Sequence, residues 1–184
     1  MNKIENVHEQ IYAIMSRTIK SWHSYMPAYA HMQQVSHICA LLAVKRSENP
    51  ELAAIAGLLH DIAYVVCYEN KRQKSRYNNE LIFDINKITH SDASAVIAEK
   101  ILTENNILTQ EECGIICRAI TRHNKGNPDN TDTTFDEILK DADVFAHGLT
   151  SVSSLSANFR GSRWDKICFE LGMESCRKIN DDGI

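Results

Sequence analysis

The 184-residue chain has few turn formers, with seven Gly and three Pro. That scarcity argues against an all-β fold, whose many hairpins use both. No CxxC pair occurs, which argues against a zinc ribbon. No apolar run approaches the roughly 18 residues needed to span a bilayer. The first ten residues, MNKIENVHEQ, lack the apolar core of a signal segment. There is no excess of positive charge: a net charge of −4 gives no global attraction to nucleic acid or to an anionic membrane. The expected compartment is the cytoplasm.

What is present reads as an ordinary globular chain, 43% hydrophobic and 24% charged, long enough for one full core. Six cysteines, Cys39, Cys67, Cys113, Cys117, Cys168 and Cys176, mostly sit in apolar helical patterns. They read as core thiols, since free Cys behaves as a small hydrophobe.

The pattern is helix after helix, so the expected fold class is all-α. Ile4, Val7, Ile11, Ile14, Met15 and Ile19 recur at helical spacing over 3–20. Pro27 marks a break before a helix over about 29–46. Asn49-Pro50 looks like a cap with Pro in the first helical position. AYVVCY at 63–68 suits a helix or a strand, because β-branched runs favour strands. Residues 69–88 are polar and irregular, and read as a loop or lid. A helix resumes over 90–102. TQEE at 109–112 is a capping box for the next, which ends near His123. Thr134 and Glu137 are expected to cap a helix over about 135–148. One or two more helices are expected over 151–178. No repeat, low-complexity segment or domain boundary is visible.

Against this background, LLHDIAYVVC at 58–67 places His60 and Asp61 inside an apolar run. A buried carboxylate is costly unless paired, hydrogen-bonded or metal-bound. Helical neighbours point about 100° apart, a poor geometry for a mutual bond. The two are better placed to reach one ion between helices. Of the eight histidines, His31, His60, His90 and His123 sit near helix ends or apolar-flanked turns. His8, His23, His37 and His147 have no evident partner and read as surface or core filler.

HMQQV at 31–35, HD at 60–61 and AD at 142–143 resemble the HD superfamily of metal-dependent phosphohydrolases, and GLLHDIAY is similar to its central motif. The resemblance runs over about 29–147. It implies a compact helical bundle, with 1–184 as a single HD-type domain and terminal helices packed on its core. HSDASAVIAEKIL, with His90, and ITRHNKG, with His123, resemble the dinuclear branch. The implied metal ligands are His31, His60, Asp61, His90, His123 and Asp143, with Asp61 bridging. Imidazole and carboxylate suit Mn, Fe, Co, Ni or Zn. The resemblance favours one or two ions of Mn or Fe.

The implied activity is hydrolysis of a phosphoester of a small molecule or nucleotide by metal-activated water. Asp61 and Asp92 are the implied catalytic carboxylates. Asp92, two residues past His90, suits a ligand-orienting or proton-relaying group and equally a helix-start acid. Lys125, Arg122, Arg160 and Arg163 are candidates for holding the substrate phosphate, with Arg17 and Lys20 as looser matches. Arg118 lies about 140° around the helix from His123 and is a poor candidate. Ile62, Ala63, Tyr64 and Val65 stand where nucleotidase and guanosine-tetraphosphate hydrolase relatives carry an acidic residue soon after HD, which argues against those activities. Two alternatives stay open: an HD-fold di-iron oxygenase cleaving a C–C or C–P bond, and a non-catalytic metal or ligand sensor. Oxygen uptake by an iron-loaded sample separates the first from hydrolysis.

Overall fold

Asn49 starts the helix that leads to His60 and Asp61. Its side chain accepts from the Glu51 and Leu52 amides, and Pro50 occupies the first turn. Asn is a strong N-cap because it satisfies amides that have no partner inside the helix. Thr109 and Glu112 form the full capping box of a later helix. Both starts follow the sequence expectation.

The computed structural model describes residues 2–18, 26–67, 74–77, 80–84, 88–124, 130–150 and 162–173. In chain order the elements are α1 (Lys3–Thr18), α2 (Met26–Lys45), α3 (Pro50–Leu59), α4 (Ile62–Cys67), β1 (Lys74–Tyr77), β2 (Glu80–Asp84), α5 (His90–Glu104), α6 (Gln110–Arg122), α7 (Thr134–Thr150) and α8 (Ser162–Glu170). The fold is all-α, with one antiparallel hairpin among the described residues, between α4 and α5.

Three expectations need correction. Part of 69–88 is the β1–β2 hairpin, pairing Lys74 with Asp84 and Tyr77 with Glu80 around an irregularity at Ser75/Arg76. Strands of four and five residues are too short to stand out as alternation in a polar stretch. The helix at Pro27 starts at Met26 rather than at about 29: Pro27 lies in the first turn of α2, where its missing N–H costs no intrahelical bond. The start of α7 is set by Thr133 rather than Thr134 and Glu137: the Thr133 amide donates to Asp136, and the Asp136 amide to the Thr133 hydroxyl. The ambiguous AYVVCY stretch is helical through Cys67.

One hydrophobic core takes in residues from Val7 on α1 to Cys168 on α8. Its centre is α3, buried from Leu52 to Leu59. The α2–α3 approach is the closest constraint. A Cβ on Gly57 would lie 2.7 Å from the Ser36 Cα and 2.8 Å from the Ser36 N. Both are backbone atoms and cannot yield cheaply. Ser36 Oγ donates to Ala54 O across the same contact, at 2.8 Å.

Ion pairs tie other helices. Lys140, almost wholly buried, pairs with Asp132, which also accepts Arg122 Nη1 at 2.8 Å. Arg118 Nη2 reaches Asp136 at 2.7 Å. Arg46, just past α2, bridges Asp141 on α7 and Glu170 on α8, each at 2.6 Å. Burial and its two acidic partners act in opposite directions on Arg46, and the partners prevail, raising its pKa. His8 is not filler, because its Nδ1 lies 2.6 Å from the Tyr29 hydroxyl and links α1 to α2.

Two glycine substitutions test this packing. Gly57→Ala should lower stability by about 1–3 kcal/mol, the usual cost of overpacking. Gly114→Ala, on an exposed face of α6 with nothing within 4 Å of the new Cβ, should raise it by about 0.5–1 kcal/mol. Urea unfolding of both variants measures this. Equal shifts would remove the close-approach argument.

Candidate metal centre

Two histidines at helix ends are oriented by their own backbone. His60 is the C-cap of α3, and its Nδ1 donates to Gly57 O at 2.7 Å. His123 is the C-cap of α6, and its Nδ1 donates to Ile120 O at 2.6 Å. Each bond uses a carbonyl near the helix end and leaves Nε2 facing the opposite way.

Both Nε2 atoms face carboxylates. His60 Nε2 lies 3.4 Å from Asp61 Oδ2 and 3.5 Å from Asp143 Oδ1. His123 Nε2 and His90 Nε2 lie 3.8 and 3.7 Å from Asp61 Oδ1. His31 Nε2 lies 3.0 Å from Asp143 Oδ1. The rings of His31 and His60, of His60 and His123, and of His90 and His123 have centroids 5.2, 5.2 and 5.4 Å apart. The six residues named from the sequence therefore meet, although α2, α3, α5, α6 and α7 carry or border them.

The donor set fits a divalent metal. His60 Nε2 and Asp61 Oδ1 are buried and have no hydrogen-bond partner. Such orphaned polar atoms are costly without a ligand. Ligand atoms of His31, His60 and Asp61 lie within 4.8 Å of one another, as do those of Asp61, His90 and His123, and those of His60, His123 and Asp143. Ligand bonds of about 2.0–2.2 Å put neighbouring donors roughly 3–4 Å apart, the spacing seen here. Asp61 belongs to two of these groups.

The electrostatics also call for a cation. Burial opposes charge on Asp143, but the hydrogen bond from His31 and the positive charge of nearby His60 outweigh it and hold its carboxyl well below the usual range. Asp61 is lowered too, with burial opposed chiefly by His60. Burial should depress His60, yet Asp61 and Asp143 overcome it and raise its pKa to about 10. His123 falls to about 4, through burial and then repulsion from His60. Without metal, a proton on His60 supplies the positive charge that the carboxylates demand.

The other candidates are placed differently. The Asp92 carboxylate accepts Thr89 Oγ1 at 2.7 Å at the start of α5, and Asp92 is in none of the metal-fitting groups among the described residues. Arg122 Nη1 and Nη2 bind Asp132 and Thr131, at 2.8 and 2.6 Å. Lys125, Arg160 and Lys20 lie outside the described residues. Arg17 lies in α1 and Arg163 in α8. A separate cavity of about 550 Å³ opens at the far end of α3, bordered by Asn49, Leu52, Arg118 and Phe135.

His147 reads as filler in the sequence, and the structure corrects this. Its Nε2 lies 3.4 Å from Asp143 Oδ1, and its ring covers His31 with centroids 4.4 Å apart. The available signal is the four-residue step from Asp143, one helical turn on the same face.

The HD-domain family model matches residues 28–148. A crystal structure of a predicted HD superfamily hydrolase involved in NAD metabolism, from Clostridium acetobutylicum, is similar at 20% identity and TM-score 0.49, covering 92% of this chain and 91% of that one. No curated protein matches the chain.

Metal uptake at neutral pH should release about one proton, because His60 must lose its proton to bind. The sign follows from the raised pKa: His60 is protonated at pH 7, so affinity should weaken as pH falls. Calorimetric heats of Mn²⁺ binding in buffers of different ionisation enthalpy measure the proton count. Buffer-independent heats would contradict it.

Proposed function

The chain belongs to the HD-domain family, and from that premise we propose that it is a metal-dependent phosphohydrolase acting on a small phosphoester. The reading rests chiefly on one observation: His60 Nε2 and Asp61 Oδ1 are buried without hydrogen-bond partners at the centre of a His/Asp cluster. A purely structural cluster would be expected to satisfy such atoms internally.

His31, His60, Asp61 and Asp143 would hold the first ion, and Asp61, His90 and His123 the second. Mn or Fe is favoured, and Co, Ni or Zn also suit this donor set. When bound, the metal supplies a Lewis acid for a phosphoryl oxygen and an acidified water. The protein fixes the ligand atoms: Gly57 O and Ile120 O set the His60 and His123 tautomers. Asp61 lies between the two ligand sets and is the group whose loss affects both. Thr89 ties Asp92 to the start of α5, so Asp92 is assigned to capping that helix rather than to the reacting atoms.

Asp61→Ala should lose metal and activity while the protein still folds, because the core does not depend on the ion. Elemental analysis, circular dichroism and turnover of bis(p-nitrophenyl) phosphate test this, and full metal content with wild-type turnover would refute it. His90→Ala or His123→Ala should each remove about one of two ions and most of the turnover, through loss of a two-metal arrangement. If wild type never takes more than one ion at excess metal, the centre is mononuclear and the two histidines serve another role. Oxygen uptake by the iron-loaded protein, with no ester hydrolysis, would replace this reading with the oxygenase one.

A further inference from the structure

We propose that the cavity at the far end of α3 is a second ligand site, for a small organic ammonium ion with an apolar body. The inference is independent of the phosphohydrolase reading, because the cavity shares no residue with the metal-fitting groups.

Space comes first. The cavity holds about 550 Å³, inside the roughly 300–1,000 Å³ range of small-molecule sites. Three helices border it: α3 at Leu52, α6 at Gly114 and Ile115, and α7 at Phe135. Leu52 and Phe135 are buried and Ile115 is 39% exposed, which makes an apolar wall with an open side. Leu52 precedes His60 by eight residues and Gly114 precedes His123 by nine, about 12–14 Å along the helix axes. The cavity and the metal centre therefore stand at opposite ends of α3 and α6.

Gly114 keeps the space open. It lies within α6, past the first turn, where Gly weakens a helix relative to Ala. The two usual reasons for a helical glycine are missing here. Its φ is not positive, and a Cβ would meet nothing within 4 Å. Gly57 shows the contrast, since its Cβ would strike the Ser36 backbone. What the bare Gly114 backbone does is leave the cavity wall without a side chain.

Charge selects the ligand. Lys3 Nζ pairs with Glu112 at 2.9 Å and lies 3.9 Å from Glu51, so the starts of α6 and α3 already share one ammonium. Glu48 and Glu111 border the cavity, and among the described residues neither side chain has a hydrogen bond or an ion pair. An ammonium entering the cavity would meet these two carboxylates as Lys3 meets Glu51 and Glu112. An anion would find less. Arg118, the cation of the lining, already gives Nη2 to Asp136 at 2.7 Å and to Thr131 O at 2.9 Å. Amides at the helix starts are capped from within: Asn49 accepts from Glu51 and Leu52, and Thr133 from Asp136. The lining thus sets the carboxylates of Glu48, Glu111 and Asp136 against a single guanidinium.

The test uses the full-length protein with phenethylammonium as the probe. Phenethyl alcohol and hydrocinnamate are its neutral and anionic counterparts, and each is titrated calorimetrically with and without Mn²⁺. The expected result is one ammonium bound per chain, about 10-fold tighter than either counterpart, with the same affinity whether or not Mn²⁺ is present. Glu48→Gln combined with Glu111→Gln should weaken it about 10-fold, because both charged partners are lost. Gly114→Leu puts a side chain into the cavity at a position that tolerates a better helix former, and should abolish binding with an unchanged circular dichroism spectrum. Where Gly114→Leu loses helical signal, the Gln pair decides the question on its own. No binding by wild type, or binding no tighter than that of the counterparts, would overturn the inference. Wild-type affinity in either folded variant would overturn it too. So would an affinity that changes with Mn²⁺, which would place the probe at the metal centre.

Discussion

Asp61 and Asp143 are mostly buried carboxylates, held ionised among five imidazoles. Burial alone would drive them neutral. They keep their charge because His31 and His60 face Asp143 while His60, His90 and His123 face Asp61. That demand for positive charge makes His60 basic despite complete burial. The same demand makes the cluster a natural seat for a cation.

The fold brings these groups together from distant parts of the chain. His31 comes from α2, Asp143 and His147 from α7, and His90 from the first residue of α5. His60 and His123 stand at helix ends, where carbonyls without helical partners are available. The Nδ1 bond to the carbonyl three residues back serves two purposes: it satisfies the helix end and directs Nε2 toward the centre. Gly57 contributes twice. Its missing Cβ lets α2 come close to α3, bringing the helix of His31 against that of His60, and its carbonyl orients His60.

Polar ties elsewhere hold that arrangement in register. Asp132 and Asp136 gather Arg118, Arg122 and Lys140 where α6 hands over to α7. That network fixes the end of α6, with His123, relative to the helix that carries Asp143. Buried ion pairs of this kind offset their own desolvation only when geometry and hydrogen bonding are good. The short, shared contacts here meet that condition. Arg46 does the same at the opposite end of α2, linking α7 to α8.

Much of this was legible in the residue pattern because its causes are local. The Asn49 and Thr109 caps satisfy amides within three residues, so their signatures sit in short stretches of sequence. His60-Asp61 stood out because an apolar run does not hold an unpaired carboxylate cheaply. The hairpin was hidden by strands too short to show a period, and the Thr133 cap by a neighbouring threonine. Tertiary structure alone decided where the long side chains reach. Arg122 adjoins His123 in sequence, yet its guanidinium turns to Asp132, and Asp92 turns back to Thr89. Nothing near His147 in sequence marks its contact with His31, which spans 116 residues and exists only once α2 packs against α7. Sequence determines which side chains can bind charge or metal; packing decides which of them converge, because contacts between helices depend on faces and crossing geometry that no local spacing records.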